Sequence, residues 1–349
     1  MKGDRIILGI TQGDINGISY EVIMKALADP RILDLCTPIV YGSPKVAAYH
    51  KKALDLEIFS FNTIRIADEA AAKRVNIINC IDDAARVELG KSTPYAGEAS
   101  FQALEAAVKD MAEGKIDVLV TGPINKANIK SEKFNFNGHT EYLENRFHAE
   151  GVLMLMINDI MRIGVVTSHV PISKVTEYIT RDTVLNKLRI MNRSLLTDFG
   201  IRGPKIAVLG LNPHSGDNGL IGEEEIKEII PAIKEAQNEG IMAFGPFPAD
   251  GFFGAGTFTK YDAILAMYHD QGLVPFKALT TEGGVNYSAG LSVVRTSPAH
   301  GTAYDIAGKN LASADSFRKA VYMAVDIFRN RLQYKEISTN PLKPVDEAE

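Results

Sequence analysis

Three of the seven histidines stand where a short apolar run gives way to polar residues. Ile163-Gly164-Val165-Val166 leads into Thr167-Ser168-His169. Ile206-Ala207-Val208-Leu209 leads into Gly210-Leu211-Asn212-Pro213-His214. Ile264-Leu265-Ala266-Met267-Tyr268 leads into His269-Asp270-Gln271-Gly272. Short apolar runs closed by glycine and polar residues read as buried strands. Imidazoles collected at strand ends can bind one divalent cation and leave positions open for a substrate. Three nitrogen donors suit zinc or cobalt better than magnesium. The other reading of each is a hydrogen-bonded loop histidine, and no local HExxH motif separates the two.

Other groups have chemistry to offer. His139-Thr140 precedes a polar helix for which Thr140 is a good N-cap, and a helix N-terminus flanked by a hydroxyl and an imidazole seats phosphate. A plain capping motif explains the same residues. Lys277 and Arg295, with Asn286 between them, can neutralise a phosphate or carboxylate, or can be surface cations. In the run 300–310 small residues let a flat ligand approach the backbone, and Asp305 can accept from a ribose or adenine. No GxGxxG follows a first strand, so an ordinary Rossmann site is not supported. His50 reads as an exposed helix end and His148 as part of a polar helix, both structural.

These groups need a scaffold. Phe101, Leu104, Val108 and Met111 recur at helical spacing up to Gly114, and the strand 117–120 follows, closed by Thr121-Gly122-Pro123-Ile124-Asn125-Lys126. The run 5–10 is a first strand, ending in Thr11-Gln12-Gly13-Asp14, with a helix over 20–28 behind it. Strands follow at 162–166 and 205–210. Glu223-Glu224-Glu225 opens a helix that Pro231 kinks or splits. Alternating strands and helices predict an α/β fold with a mostly parallel sheet, whose ligand site lies beyond the carboxyl ends of the strands. Five strands then deliver polar loops to one edge. The length of 349 residues suggests two lobes, without a linker to divide them, so they are interleaved.

Composition narrows the partners. With 46% hydrophobic and 23% charged residues the chain can build a sizeable core. A net charge of -5 and the lack of a basic stripe argue against nucleic acid, but not against a small anion. Cys36 and Cys80 lie outside any CxxC and read as reduced thiols of a cytoplasmic protein. The start, with Asp4 and Asp14, is no signal peptide. The most apolar stretch, 151–170, is broken by Asp159 and Arg162, so no membrane span is expected. The polar tail 340–349 is expected to fray.

HGTAYDIAGKN is similar to the nucleotide-binding segment of isopropylmalate and isocitrate dehydrogenases. Together with NGHTEYL, SHVP, NPHSGDNGLIGEEE, YHDQGLVPFK and VVRTSPAHGTAYDIAG, in that order, the chain resembles the 4-hydroxythreonine-4-phosphate dehydrogenase (PdxA) family of vitamin B6 biosynthesis, from the first strand to residue 330 or so. The resemblance implies a two-lobed α/β/α isocitrate/isopropylmalate dehydrogenase-like fold with a cleft between the lobes. It implies a nucleotide-binding outer lobe from 1–125 plus 290–349, and a metal, substrate and dimerisation lobe from 126–289. It implies a homodimer with the active site at the subunit interface.

Carried residue by residue, the resemblance makes His169, His214 and His269 catalytic ligands of one divalent metal (Zn, Co or Mg). It makes His139, Thr140, Lys277, Asn286 and Arg295 substrate-binding, and gives NAD or NADP to the loop with His300, Gly301, Thr302, Ala303, Asp305 and Gly308. Asp250 and Asp270 become proton handlers or partners of the ligands. The implied reaction oxidises 4-phosphooxy-L-threonine and decarboxylates it to 3-amino-2-oxopropyl phosphate. A paralogue acting on a threonate or erythronate phosphate, or a phospho-metabolite binding protein without turnover, would share these residues. One departure stands out. The family's GDPAGIGPE reads GDINGISYE here, without both prolines and one glycine, which leaves the conformation of residues 13–21 open.

Overall fold

A computed structural model describes residues 5–56, 59–82, 85–280 and 283–340. The chain start and the tail beyond residue 340 lie outside the described residues. The strands are β1 (Ile6–Thr11), β2 (Cys36–Gly42), β3 (Asn62–Ile64), β4 (Asn76–Asn79), β5 (Val118–Thr121), β6 (Leu153–Ile157), β7 (Arg162–Thr167), β8 (Lys205–Leu209), β9 (Met242–Phe247), β10 (Ala263–Tyr268), β11 (Val285–Ala289) and β12 (Val294–Pro298). They form one sheet in the order β3-β4-β2-β1-β5-β12-β11-β6-β7-β10-β8-β9. Its pairings are parallel except at β12–β11, β11–β6 and β6–β7. This is the mostly parallel α/β architecture read from the sequence.

The strands are apolar on both faces because helices cover both. Val118 and Val120 of β5 pack in one core cluster with Phe317, Val321 and Val325 of the helix Asp315–Ser338. Leu119, between them, packs in another with Leu104, Val108 and Met111 of the helix Pro94–Ala112. Alternate strand residues point to opposite faces, so a strand between two helical layers has no polar side to show. Thr93 caps that second helix by accepting from the Ala96 amide at 3.2 Å, and Gly114 (φ 68°) ends it in the left-handed conformation that suits glycine. The split expected at Pro231 occurs. A π-helical turn, Glu225–Ile229, gives way to the α-helix Ile230–Asn238, with the proline in its first turn.

Three expectations need correction. The polar loops do not share one edge. β6 and β11 are antiparallel to both neighbours and reverse the sheet, so β1, β5 and β12 point one way and β7, β8 and β10 the other. The reversal lies inside the stretch 151–170. Asn158 Oδ1 accepts from the amides of Ile160 and Met161, an Asx turn that folds β6 back onto β7. His50 is not exposed. It is buried, stacked on Tyr20 with ring centroids 5.2 Å apart, and its Nε2 meets the Ile15 carbonyl at 2.8 Å. His148 lies outside the helix, in a turn with φ 49°.

Candidate active site

One cleft of about 240 Å³ gathers the loop after β5, the start of the helix His139–Arg146, the ends of β7 and β10, and side chains of β11 and β12. Its lining includes His139, Thr140, His169, His269, Lys277, Asn286, Arg295, His300 and Gly301. His269 is the first residue of the helix His269–Leu279. Residues four apart on a helix share a face, so His269, Leu273 and Lys277 all reach the cleft. Gln271 locks this junction. Its Oε1 accepts from the Met267 amide at 2.7 Å, and its Nε2 donates to the Gly210 carbonyl, at the end of β8, at 2.6 Å.

One end of the cleft holds a buried cation. Arg295 is 3% exposed. Its Nε and Nη2 donate to Thr121 Oγ1 at 3.1 and 2.6 Å, its Nη1 to Ser288 Oγ at 3.2 Å, and its Nη2 meets His139 Nδ1 at 3.1 Å. All of these partners lack a formal charge when the imidazole is neutral, and burying a cation without a counter-charge is costly. Burial accordingly lowers the guanidinium pKa to about 9, with the Glu141 carboxylate acting the other way. His139 is held well below the usual imidazole range, by burial first and then by Arg295 and Lys126. It is therefore neutral. Its Nδ1 accepts from Arg295, and its Nε2 is buried without a partner. Asn286 Oδ1 is likewise buried and unpartnered. Thr140 is not the N-cap. The helix begins one residue earlier behind Gly138, and the Thr140 hydroxyl meets Ser288 Oγ at 3.2 Å.

The other end holds two imidazoles. His169 Nδ1 lies 3.2 Å from Glu141 Oε1 and His269 Nδ1 2.7 Å from Asp270 Oδ1, with ring centroids 6.4 Å apart. A carboxylate only accepts, so each Nδ1 carries the proton and each Nε2 keeps its lone pair, the arrangement that suits a metal ligand. The hydrogen bond from His169 holds the Glu141 carboxyl below its usual range, against burial, and Glu141 Oε2 is buried without a partner. Lys126 Nζ meets His169 Nε2 at 2.9 Å, and burial lowers the pKa of that ammonium while Glu141 raises it.

His214 and Asp250 do not line the cleft. Among the described residues no group of three His, Cys, Asp or Glu stands close enough to hold a metal ion. His214 begins a turn in which residues 214–218 all have positive φ, from 43° to 79°. Only glycine, asparagine and aspartate enter this region readily, and then singly. His214, Asp217 and Asn218 of this turn are exposed while Gly216 is buried, and exposed Leu220 and Ile221 follow. Asp250 is exposed on the helix Ala249–Gly254, and Asp270 reaches the site only as the partner of His269.

In the 300–310 loop, His300 and Gly301 line the cleft, whereas Thr302, Ala303, Asp305 and Gly308 do not. Residues 13–18 brace this loop. Ile18 N donates to the Thr302 carbonyl at 3.0 Å, and Tyr304 Oη donates to the buried Asp14 carboxylate at 2.7 Å. A Cβ on Gly17 would stand 2.6 Å from the Thr302 carbonyl oxygen, so only glycine fits. Asn16, a residue of the departing segment, accepts from the Glu88 amide at 2.7 Å and donates to Lys91 O and Thr93 Oγ1 at 2.9 and 3.1 Å. Without its prolines the segment is fixed by side-chain hydrogen bonds.

Sequence reasoning assigned no role to Thr121, Lys126, Glu141, Ser288 or Gln271. Three of them carried a signal. Thr121 and Lys126 lie in a polar loop closing a strand, and Ser288 shares the face of Asn286 through the two-residue strand period.

Residues 34–324 match the sequence family described as pyridoxal phosphate biosynthetic protein PdxA. A 4-hydroxythreonine-4-phosphate dehydrogenase of Bacteroides thetaiotaomicron is 56% identical over 344 residues, which cover 98% of this chain and 94% of that protein. A protein of Oceanobacillus iheyensis, provisionally named a D-threonate 4-phosphate dehydrogenase, is 37% identical over 92% of this chain and 97% of its own length. The crystal structure of a 4-hydroxythreonine-4-phosphate dehydrogenase from Klebsiella pneumoniae is similar with a TM-score of 0.79 at 30% identity, covering 94% of this chain and 99% of that one.

Proposed function

The chain belongs to the PdxA family of pyridoxal phosphate biosynthetic proteins, and on that premise we propose how its cleft performs the family's dehydrogenation. It is a dehydrogenase of the 4-hydroxythreonine-4-phosphate type, in vitamin B6 biosynthesis. One observation carries the assignment of parts: a buried guanidinium with no carboxylate partner at one end of the cleft, and two carboxylate-held imidazoles at the other. The first is a seat for the phosphate and the second the place of the reacting hydroxyl.

Arg295 supplies a desolvated charge for the phosphate, with the N–H of His139 Nε2, the Thr140 hydroxyl and Lys277 as further donors. Asn286 Oδ1 accepts from the substrate amine. His169 and His269 would hold a divalent cation through Nε2, with His214 of the partner subunit as the third ligand of a homodimer. A divalent cation there makes a neighbouring hydroxyl more acidic and stabilises negative charge on oxygen. The 300–310 loop would hold NAD or NADP as hydride acceptor. An alcohol carbon that gives up hydride becomes a ketone β to the carboxylate, and loss of CO₂ then leaves 3-amino-2-oxopropyl phosphate. Lobes made of 1–125 plus 290–349 and of 126–289 divide the work, the first taking the nucleotide. In support, β12 pairs with β5 and the helix Asp315–Ser338 packs on both.

A second reading, D-threonate 4-phosphate as substrate, is favoured by the named relative at 37% identity. The test is reduction of NAD⁺ or NADP⁺ by the cobalt-loaded or zinc-loaded protein, followed by absorbance. Turnover of 4-phosphooxy-L-threonine at least tenfold better than of 4-phosphothreonate is expected. The opposite ranking would replace the substrate, and binding of both without reduction would leave a binding protein.

A further inference from the structure

Lys126 has no role in the reading above, yet it sits at the centre of the cation end. Glu141 fixes the proton of His169 on Nδ1, so Nε2 offers a lone pair. An ammonium has three donors and no acceptor, so the 2.9 Å contact is a hydrogen bond from Lys126 Nζ into that lone pair. Among the described residues it is the one hydrogen bond the ammonium makes. A lone pair that receives this proton donor cannot also ligate a cation, and two positive charges at such separation repel. Lys126 is held by a flexible four-carbon stem, and although its ammonium is partly desolvated in the cleft the residue as a whole is exposed, so the stem can swing.

The charges of the cleft say where it goes. Arg295 and Lys277 already stand for the phosphate. The substrate has one other anionic group, its carboxylate, at the far end of a short carbon chain. We propose that Lys126 is a substrate-carboxylate ligand parked on His169 in the free protein, which cation loading releases to the carboxylate. The proposal rests on the cleft reading above and adds an order of events. The cation displaces the ammonium first, and the carboxylated substrate is then held by a charge that was unavailable before. The protein thereby binds its substrate tightly only once the cation is in place.

The test begins without substrate or turnover. Metal-free protein, K126M and H169N are titrated with Co²⁺ against a chromophoric chelator. K126M is expected to bind Co²⁺ about tenfold more tightly than the natural protein, since a charge-assisted hydrogen bond no longer competes for the lone pair. H169N is expected to lose affinity. The second arm measures, by calorimetry on cobalt-loaded protein, binding of 4-phosphooxy-L-threonine and of 3-amino-2-hydroxypropyl phosphate, which lacks the carboxylate. K126M should weaken the first about tenfold and leave the second unchanged, and K126R should recover part of the loss. Co²⁺ affinity unchanged or lowered in K126M, or equal weakening of both ligands, overturns the proposal. Full Co²⁺ affinity in H169N would instead remove the metal site. Thermal melts confirm folding, and K126Q gives the same readings if K126M does not fold.

Discussion

The two ends of the cleft are solved differently. Arg295 and His139 are 3% and 8% exposed, and the one chain supplies hydrogen-bond partners for both. The side chains of His169 and His269 are 32% and 41% exposed, each with a single carboxylate behind it and an unfilled lone pair or a borrowed ammonium in front. The buried end stores its charge in advance. Folding bears the cost of desolvating the guanidinium, which on the proposed assignment an incoming phosphate would recover. The exposed end leaves His169 and His269 facing the cleft, and on the proposed assignment a cation, a substrate and a second subunit complete it.

If the buried end is a prepaid anion seat, Arg295→Met should cut kcat/KM about a thousandfold, through loss of a desolvated charge–phosphate contact. Its thermal stability should hold or rise, because an uncompensated buried cation is removed. A drop of several kcal/mol in unfolding free energy would instead make Arg295 a structural residue. If the exposed end is completed by a partner, His214→Ala and His269→Ala should each lose activity about a hundredfold with intact melting curves. Refolded mixtures of the two should regain about a quarter of the natural activity, because a mixed dimer has one intact site. No recovery on mixing would place His214 in its own chain's site.

A third test separates burial from exposure by pH. Burial lowers the pKa of His50 from 6.5 to about 4 and holds His139 well below 6.5. Both are neutral when folded and take up a proton on unfolding. Their contribution is therefore fully present above pH 6.5 and is lost as pH falls from there toward the folded value. Between pH 6.5 and 5 denaturant unfolding should show a loss of about 2 kcal/mol for His50, and His50→Phe should flatten that slope. An unchanged slope in the variant would deny His50 its share. The smallest effect expected is that of Asp270→Asn. Loss of the carboxylate behind His269 should weaken Co²⁺ binding about tenfold, since the imidazole is still present but less well oriented.

Burial and periodicity in the sequence were enough to find β1, β5, β7, β8, β10 and the helix Pro94–Ala112, because a strand between two helical layers and a half-buried helix each leave a periodic trace. Strand direction leaves none. The reversal at β6 depends on Asn158 closing an Asx turn, and in the sequence 151–170 is simply one apolar stretch with two charges in it. His50 was misread for a related reason. Its burial comes from Tyr20 and Ile15, thirty or so residues earlier, and a helix-end histidine among lysines gives no local hint of them. In the cleft, His139, His169, His269, Lys277, Asn286 and Arg295 were legible as residues able to do chemistry. Glu141 was not, and Lys126 was legible only as part of a polar strand-end loop, since the meaning of both lies in which nitrogen of His169 each one meets.

Gln271 has a mechanical consequence. Its amide grips the tip of β10 with its oxygen and the tip of β8 with its nitrogen, so the loop leading to His214 and the helix starting at His269 are tied like two pages by one stitch. A tug on either page is felt by the other.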